Sequence, residues 1–374
     1  MDALNIDTSS EARTEQLVER LLDTTIGALE LFSVYLGAEL GLYRVLEQRG
    51  PLTAAQLGEQ AGIAARYARE WLDQQAVAGF LQVEPGLPEA ADRERRYRLD
   101  PAYARVLTHA DDPAHVAPLA HMLAGIGGVL TEVAQAYRTG DGVPYQDYGH
   151  AFRHGQGHIN RPAFTHELPT DWLAAMPDVV DRLEAAPHPH IADVGCGQGW
   201  STLAMARAFP SAWVDGLDLD AASIADARRH AADCDLEDGD LEGRVRFVHA
   251  DAQRLPDTGP YDLVLILEAL HDLPQPVQVL RAVHTALIPG GTVLVVDERV
   301  ADRFSAPGDK VERMMYGWSV THCLPAQLAE KPSAATGTVL RAETVGEWAR
   351  ESGFARCTVL PVDNDFFRLY RLDT

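Results

Sequence analysis

The turn Asp193-Val194-Gly195-Cys196-Gly197-Gln198-Gly199 places three glycines within five positions. Glycine admits backbone with positive φ and lets a ligand approach the main chain closely, so a turn of this kind between a strand and a helix suits ligand binding. A dinucleotide fingerprint would carry a further glycine at position 200, where the bulky Trp200 stands, and this argues against a tightly seated pyrophosphate. Acids recur at the ends of apolar runs: Asp193, Asp218, Asp251, Glu268 and the pair Asp297-Glu298. A carboxylate accepts hydrogen bonds from both hydroxyls of a ribose, so Asp218, closing the run that follows the glycine turn, completes the outline of a nucleoside site.

His150, His154 and His158 are spaced i, i+4, which on a helix would align three potential metal ligands. Gly149, Gly155 and Gly157 argue against a regular helix, so Asp141–Pro162 is expected to be a loop that closes over a pocket or connects domains. No metal site is expected. Cys196, Cys234, Cys323 and Cys357 form no CxxC pair and are expected to be reduced thiols.

These groups need elements to hold them. After a helical stretch Trp172–Leu183 the pattern alternates: strand Ile191–Val194, helix Ser201–Phe209, strand Trp213–Leu217, helix Ala221–Ala232, strands Val245–Val248 and Leu263–Leu267, helix Gln275–Leu287 and strand Thr292–Val296. Alternation of this kind predicts a parallel sheet with helices on both faces and ligands beyond the carboxyl ends of its strands. A helix over Thr344–Gly353, with Thr344 and Glu347 as a capping box, and a hairpin of Cys357–Val362 with Phe366–Arg371 follow.

The first part reads differently. Thr14 to Gln48 is mostly helical, with Leu17, Leu21, Leu29, Phe32, Leu36 and Leu40 at the spacing of a packing face. A short helix after Pro51-Leu52-Thr53, a second over Ala65–Ala78, and a two-stranded wing of residues 79–83 and 96–99 give a helix-turn-helix-wing order; helices resume from Ala102 to Gly140. Between Pro51 and Phe80 two cations meet three acids, and a DNA-reading surface should be basic. The whole chain of 374 residues carries a formal charge of −23, which repels phosphate backbones and anionic membrane surfaces. With no apolar run read as a bilayer span and no signal-peptide layout at the start, the expectation is a cytoplasmic protein without nucleic acid or membrane partners.

Four motifs in order, Asp193–Gly199, Gly216-Leu217-Asp218-Leu219-Asp220, His249-Ala250-Asp251-Ala252 and Pro289-Gly290-Gly291, resemble the class I S-adenosylmethionine-dependent methyltransferases. With the winged-helix-like first half, the whole chain resembles the small-molecule O-methyltransferases that join a dimerising domain of this kind to a catalytic one. The resemblance implies an α/β fold, a Rossmann-like doubly wound sheet with an antiparallel C-terminal strand, behind a mainly helical winged-helix-like domain. The division is 1–140 for dimerisation, 141–171 for a linker and pocket-closing loop, and 172–374 for catalysis. Gly195, Gly197 and Gly199 would hold the methionyl part of S-adenosylmethionine, Asp218 the ribose, and Asp251 with Ala252 the adenine; Asp193 and Glu268 are further cofactor candidates. Leu270-His271-Asp272 matches the motif whose histidine is the general base.

A phenol near pKa ~10 giving its proton to an imidazole near ~6.5 faces ~5 kcal/mol, so a carboxylate that stabilises imidazolium would help. Glu298 is the first candidate and Glu268 the second. Between Val311 and Pro325, where the family builds its acceptor pocket, Met315, Tyr316 and His322 are expected to line an apolar, aromatic wall. The expectation is a homodimeric, metal-independent methyltransferase acting on a natural-product hydroxyl. Its rivals are N- or C-methylation, non-methylating chemistry with the same cofactor, and a ligand-sensing winged-helix regulator.

Overall fold

The structure, a computed structural model, describes residues 3–85, 94–238, 241 and 243–374. It divides into two compact units: Met1–Ala124 with His154–Ile159, and Gly125–Arg153 with Asn160–Thr374. The change of unit therefore falls at different places from the expected boundaries at 140 and 171.

In the first unit, α1 (Ala3–Glu39) and α2 (Leu42–Arg49) replace the single expected helix. Gly41 takes a left-handed φ of 66°, which glycine adopts without a Cβ penalty, and breaks the helix there. Then follow β1 (Leu52–Thr53), α3 (Ala54–Ala61), α4 (Ala65–Val77), β2 (Gln82–Val83), β3 (Arg96–Arg98) and α5 (Pro101–Leu107). Thr53 and Gln56 close a reciprocal capping box on α3. The three strands form an antiparallel sheet in the order β1-β3-β2, which is the wing; part of the loop between β2 and β3 lies outside the described residues.

Leu42, Tyr43, Leu46, Leu57, Leu72 and Tyr97 build the core of this unit. The expected packing face of α1 is not in that core. Leu17, Leu21, Leu29, Phe32, Leu36 and Leu40 are all exposed, Leu21 by 59% and Leu29 by 60%, because nothing within the unit covers them. Contrary to the sequence reading, one helical stretch, Ser10–Glu39, is long and apolar enough to cross a membrane by length and composition.

α6 (Pro118–Thr139) leads to the segment expected to be a loop, and there the expectation fails. A 3-10 turn over Tyr145–Tyr148 precedes α7 (Gly149–Pro162), which runs on into wide π turns over Ala163–Trp172. Gly155 serves close packing here rather than a bend, since a Cβ on it would stand 2.7 Å from the Pro118 carbonyl oxygen. Being helical, α7 does bring His154 and His158 together, with ring centroids 3.9 Å apart.

The second unit continues with α8 (Pro177–Ala185), β4 (His190–Val194), α9 (Trp200–Ala208), β5 (Trp213–Asp218), α10 (Ala221–Asp238), β6 (Val245–His249), β7 (Tyr261–Leu267), α11 (Pro276–Ala286), β8 (Leu287–Glu298), α12 (Lys310–Trp318), α13 (Leu324–Ala329), α14 (Ala342–Glu351), β9 (Arg356–Val359) and β10 (Phe367–Asp373). Its seven strands lie in the order β6-β5-β4-β7-β8-β10-β9. The first five are parallel, and β10 is antiparallel to β8 and β9. The order reverses at β4, so β4 and β7 flank the switch point where such sheets bind ligands.

Alternation along the strands splits the core. Leu263, Leu265, Leu294 and Val296 face one layer, Val264, Ile266, Val293 and Val295 the other. The capping box expected at Thr344 is absent: α14 starts two residues earlier, after Arg341, which leaves Thr344 inside the helix.

Candidate active site

The site lies within the second unit, at the carboxyl ends of β4, β5, β7 and β8. Gly195, Gly197 and Gly199 all have positive φ, as the tight turn after β4 demands. The Leu217 carbonyl accepts hydrogen bonds from the Gly195 and Cys196 amides at 2.8 and 3.1 Å, fastening the turn to β5. The Asp218 carboxylate accepts from the Gly197 amide through Oδ2 and from the Asp220 amide through Oδ1, each at 2.8 Å. Burial raises the Asp218 pKa against those two donors, and each oxygen retains further acceptor capacity.

Asp193, a cofactor candidate, instead braces the turn. Its Oδ2 accepts from the Ser201 and Thr202 hydroxyls, both at 2.6 Å, and burial pushes its pKa up to about 6. Asp251 caps the 3-10 turn Ala252–Asp257, accepting from the Gln253 amide at 2.8 Å, with Ala252 buried behind it. Trp200 opens α9; the Arg161 guanidinium lies 3.9 Å over its ring and His230 stacks on it at 4.3 Å.

Beyond β7 the backbone turns at Glu268 through a φ of 53°, unusual for a residue with a side chain, and enters the short turn Leu270–Asp272. There His271 is buried and held twice by one carboxylate: its amide donates to Asp297 Oδ2 at 3.2 Å, and its Nδ1 lies 2.9 Å from Asp297 Oδ1. Gln327 donates its side-chain amide to the His271 carbonyl. With Nδ1–H given to Asp297, Nε2 is the proton-accepting nitrogen, 3.4 Å from Asp272 Oδ1 and 3.8 Å from Cys323 Sγ. Burial alone would lower the His271 pKa, but the Asp297 and Asp272 carboxylates outweigh it and hold it well above the usual histidine value.

The partner of His271 is thus Asp297, neither Glu298 nor Glu268. Side chains alternate along β8, so Asp297 emerges on the layer of Val293, Val295 and Leu270, while Glu298 follows Leu294 and Val296 onto the opposite layer. That parity was the available signal in the sequence. Glu268 and Glu298 act on each other instead, and burial raises the pKa of both.

Of the pocket candidates, His322 is brought close to His271, next to the Cys323 thiol that faces it. Its Nδ1 lies 3.4 Å from Cys323 Sγ, and its ring stacks on Phe152 at 4.0 Å with Tyr148 edge-on at 4.6 Å and Tyr145 at 5.8 Å. Burial pushes its pKa down to about 4. Met315 is buried, whereas Tyr316 is 37% exposed with its ring edge-on to Phe304. Tyr145, Tyr148 and Phe152 were missed because the segment holding them reads as a loop, and Cys323 because a lone thiol gives no motif.

Residues 191–291 match the profile of a methyltransferase domain, and 27–109 that of an Rv2258c-like winged HTH domain. The chain is 29% identical over 309 residues to acetylserotonin O-methyltransferase of Mus musculus, covering 80% of this chain and 77% of that one. It is 30% identical over 185 residues to the ubiquinone biosynthesis O-methyltransferase of Azotobacter vinelandii, covering 49% of this chain and 72% of that one. The solved structure of mitomycin 7-O-methyltransferase has a similar fold, with a TM-score of 0.64, 20% identity and coverage of 98% of this chain and 100% of that one.

The chain belongs to the S-adenosylmethionine-dependent methyltransferases.

The geometry of this methyltransferase fits its cofactor. A Cβ added to Gly197 would enter open space, so the turn presents bare backbone to a ligand, and Asp218 stands beside it with acceptor capacity to spare. S-adenosylmethionine, when bound, supplies an electrophilic sulfonium methyl group. The glycine turn and Asp218 would hold the cofactor, and His271 lies at the end of the neighbouring strand.

Proposed function

We propose that this methyltransferase methylates a hydroxyl group of a small natural product, with His271 as general base and Asp297 as the carboxylate that orients it and stabilises its protonated form. The observation that carries this reading is the buried His271–Asp297 pair, which commits Nδ1 and leaves Nε2 toward Cys323 and Asp272. Both relatives above are O-methyltransferases by name, which supports an oxygen acceptor, and the mitomycin enzyme supports a natural-product scaffold. Positioning the acceptor in line with the methyl contributes ~7–11 kcal/mol in favourable cases, so proton removal is the main task left to side chains.

The winged helix serves assembly rather than DNA binding in this reading. On α4, Arg66 pairs with Glu70 and Arg69 with Asp73, so its cations are committed to neighbouring acids. The exposed apolar face of α1 supports pairing with a second copy in a cytoplasmic homodimer, since a patch of that size on water marks a protein interface.

Calorimetric titration with S-adenosylmethionine, with and without Asp218→Ala, tests the cofactor site, and His271→Ala tests the base. Saturable binding weakened by the first variant, and turnover lost with binding retained in the second, are the expected results. Full turnover by His271→Ala would exclude the base and favour an amine acceptor that arrives neutral.

A further inference from the structure

Asp297 and Asp272 flank His271, and Glu268 and Glu298 lie close enough to feel its charge. Asp297 is committed to His271 and to the Glu298 amide. Asp272 faces His271 across 3.4 Å, but the two glutamates are not balanced. Glu298 is only 6% exposed, yet its Oε2 has no hydrogen-bond partner among the described residues, and the same holds for Glu268 Oε1. The charged groups acting on the two glutamates include each other, Asp297, Asp272 and His271. Burying acceptors without donors is costly, and burying carboxylates without a cation more so. The backbone at Glu268 holds the strained φ that accompanies its meeting with Glu298, and strain of that kind clusters at ligand clamps.

We infer that the Glu268–Glu298 pair receives an alkylammonium group of a ligand bound in the catalytic site. An ammonium carries three donors and one positive charge, which answers both the orphaned oxygens and the excess of acids. Before it enters, burial favours a proton on the pair, pushing Glu298 up to about 7 and Glu268 well above its ordinary value. The ammonium takes the place of that proton, which leaves to solvent. Two ligands of a methyltransferase can bring such a group, the amino-acid end of the cofactor or an amine-bearing acceptor. The inference rests on the methyl-transfer reading above.

The test has two arms, each run on wild type, Glu268→Gln and Glu298→Gln, which keep side-chain shape; if one variant does not fold, the other decides. In the first arm S-adenosylhomocysteine, which carries its own ammonium, is titrated by calorimetry. In the second, with S-adenosylhomocysteine present, the phenols tyramine, 4-ethylphenol and 3-(4-hydroxyphenyl)propanoate are titrated at millimolar concentrations. A roughly tenfold or larger weakening of S-adenosylhomocysteine in the variants identifies the cofactor as the source. A preference of wild type for tyramine over 4-ethylphenol of about tenfold or more, erased in the variants, identifies the acceptor. If neither arm responds, or a tyramine preference survives in both variants, the ammonium site is overturned. Wild type that fails to bind S-adenosylhomocysteine would instead overturn the methyl-transfer reading, and the tyramine arm, run without it, still decides the ammonium site.

Discussion

Asp297→Asn removes the charge beside His271 and one of the two bonds that hold it, while keeping the shape of the side chain. The amide keeps the size of the carboxylate, and its one oxygen can still accept the Nδ1 proton of His271, now 2.9 Å from Asp297 Oδ1, but its NH2 then faces the His271 amide that donates to Oδ2, and the negative charge that favours imidazolium is gone. A hydrogen bond to a charged group contributes ~1.5–3 kcal/mol, so turnover should fall roughly 10- to 150-fold at its best pH. The sign of the pH effect follows from the raised His271 pKa. Neutral imidazole is the base, so wild-type turnover should climb as pH rises through a value above the ordinary ~6.5. Losing Asp297 lowers that value, and the acid limb of the profile should move to lower pH while the plateau falls. The assay is S-adenosylhomocysteine release against pH for an acceptor found by screening, paired with a proton NMR titration of the His271 ring. A variant with wild-type plateau, or with its acid limb unmoved or shifted to higher pH, would refute the argument. The same pair stabilises the folded state fully below ~6.5, and that contribution is lost as pH rises through the raised value.

Asp193→Asn should stabilise the protein at neutral pH by up to ~3 kcal/mol, since folding raises this fully buried carboxyl from an unfolded value near ~3.9 to about 6. Its present cost is absent below the unfolded value and grows as pH rises toward the folded one; urea unfolding at acid and neutral pH checks this, and a variant less stable at neutral pH counts against it. Gly195→Ala should cost ~2–4 kcal/mol and weaken S-adenosylmethionine binding, because φ is 72° and the new Cβ would stand 2.6 Å from that of Ala269. Gly197→Ala, at φ 50° with open space before it, should cost stability only ~1–2 kcal/mol, so thermal unfolding should rank the two in that order. Leu21→Glu with Leu29→Glu should turn a dimer into a monomer in sedimentation without unfolding it, as both side chains are already exposed; a wild-type monomer would remove the assembly role of α1.

The catalytic unit was legible because its signals are local. Each strand announces itself by an apolar run ending in an acid, and the glycine turn and Asp218 lie within a single strand-helix-strand repeat. Two things were hidden. The choice between Asp297 and Glu298 depends on which face of β8 each side chain takes; the alternation of the strand carries that parity, but it becomes decisive only once the layer holding Leu270 and His271 is known. The helix α7 was hidden because glycine weighs against helix locally, by roughly 1 kcal/mol, while the contact that favours Gly155 lies with Pro118 and Met122, more than thirty residues away. The apolar stripe of α1 was read correctly as helical, but a stripe does not say whether its cover comes from the same chain.

The placement of β10 sets an order of events in the making of the enzyme. This strand lies between β8 and β9, and its pairing runs along β8 from Thr292 to Glu298, across the register that carries Asp297. During translation β8 therefore leaves the ribosome with one ladder unmatched, and it keeps that open flank until about seventy further residues have been added. An unmatched flank on an apolar strand is a template for aggregation. A nascent chain halted between α14 and β10 would therefore carry Asp297 on a strand whose adhesive edge is still open to chaperones.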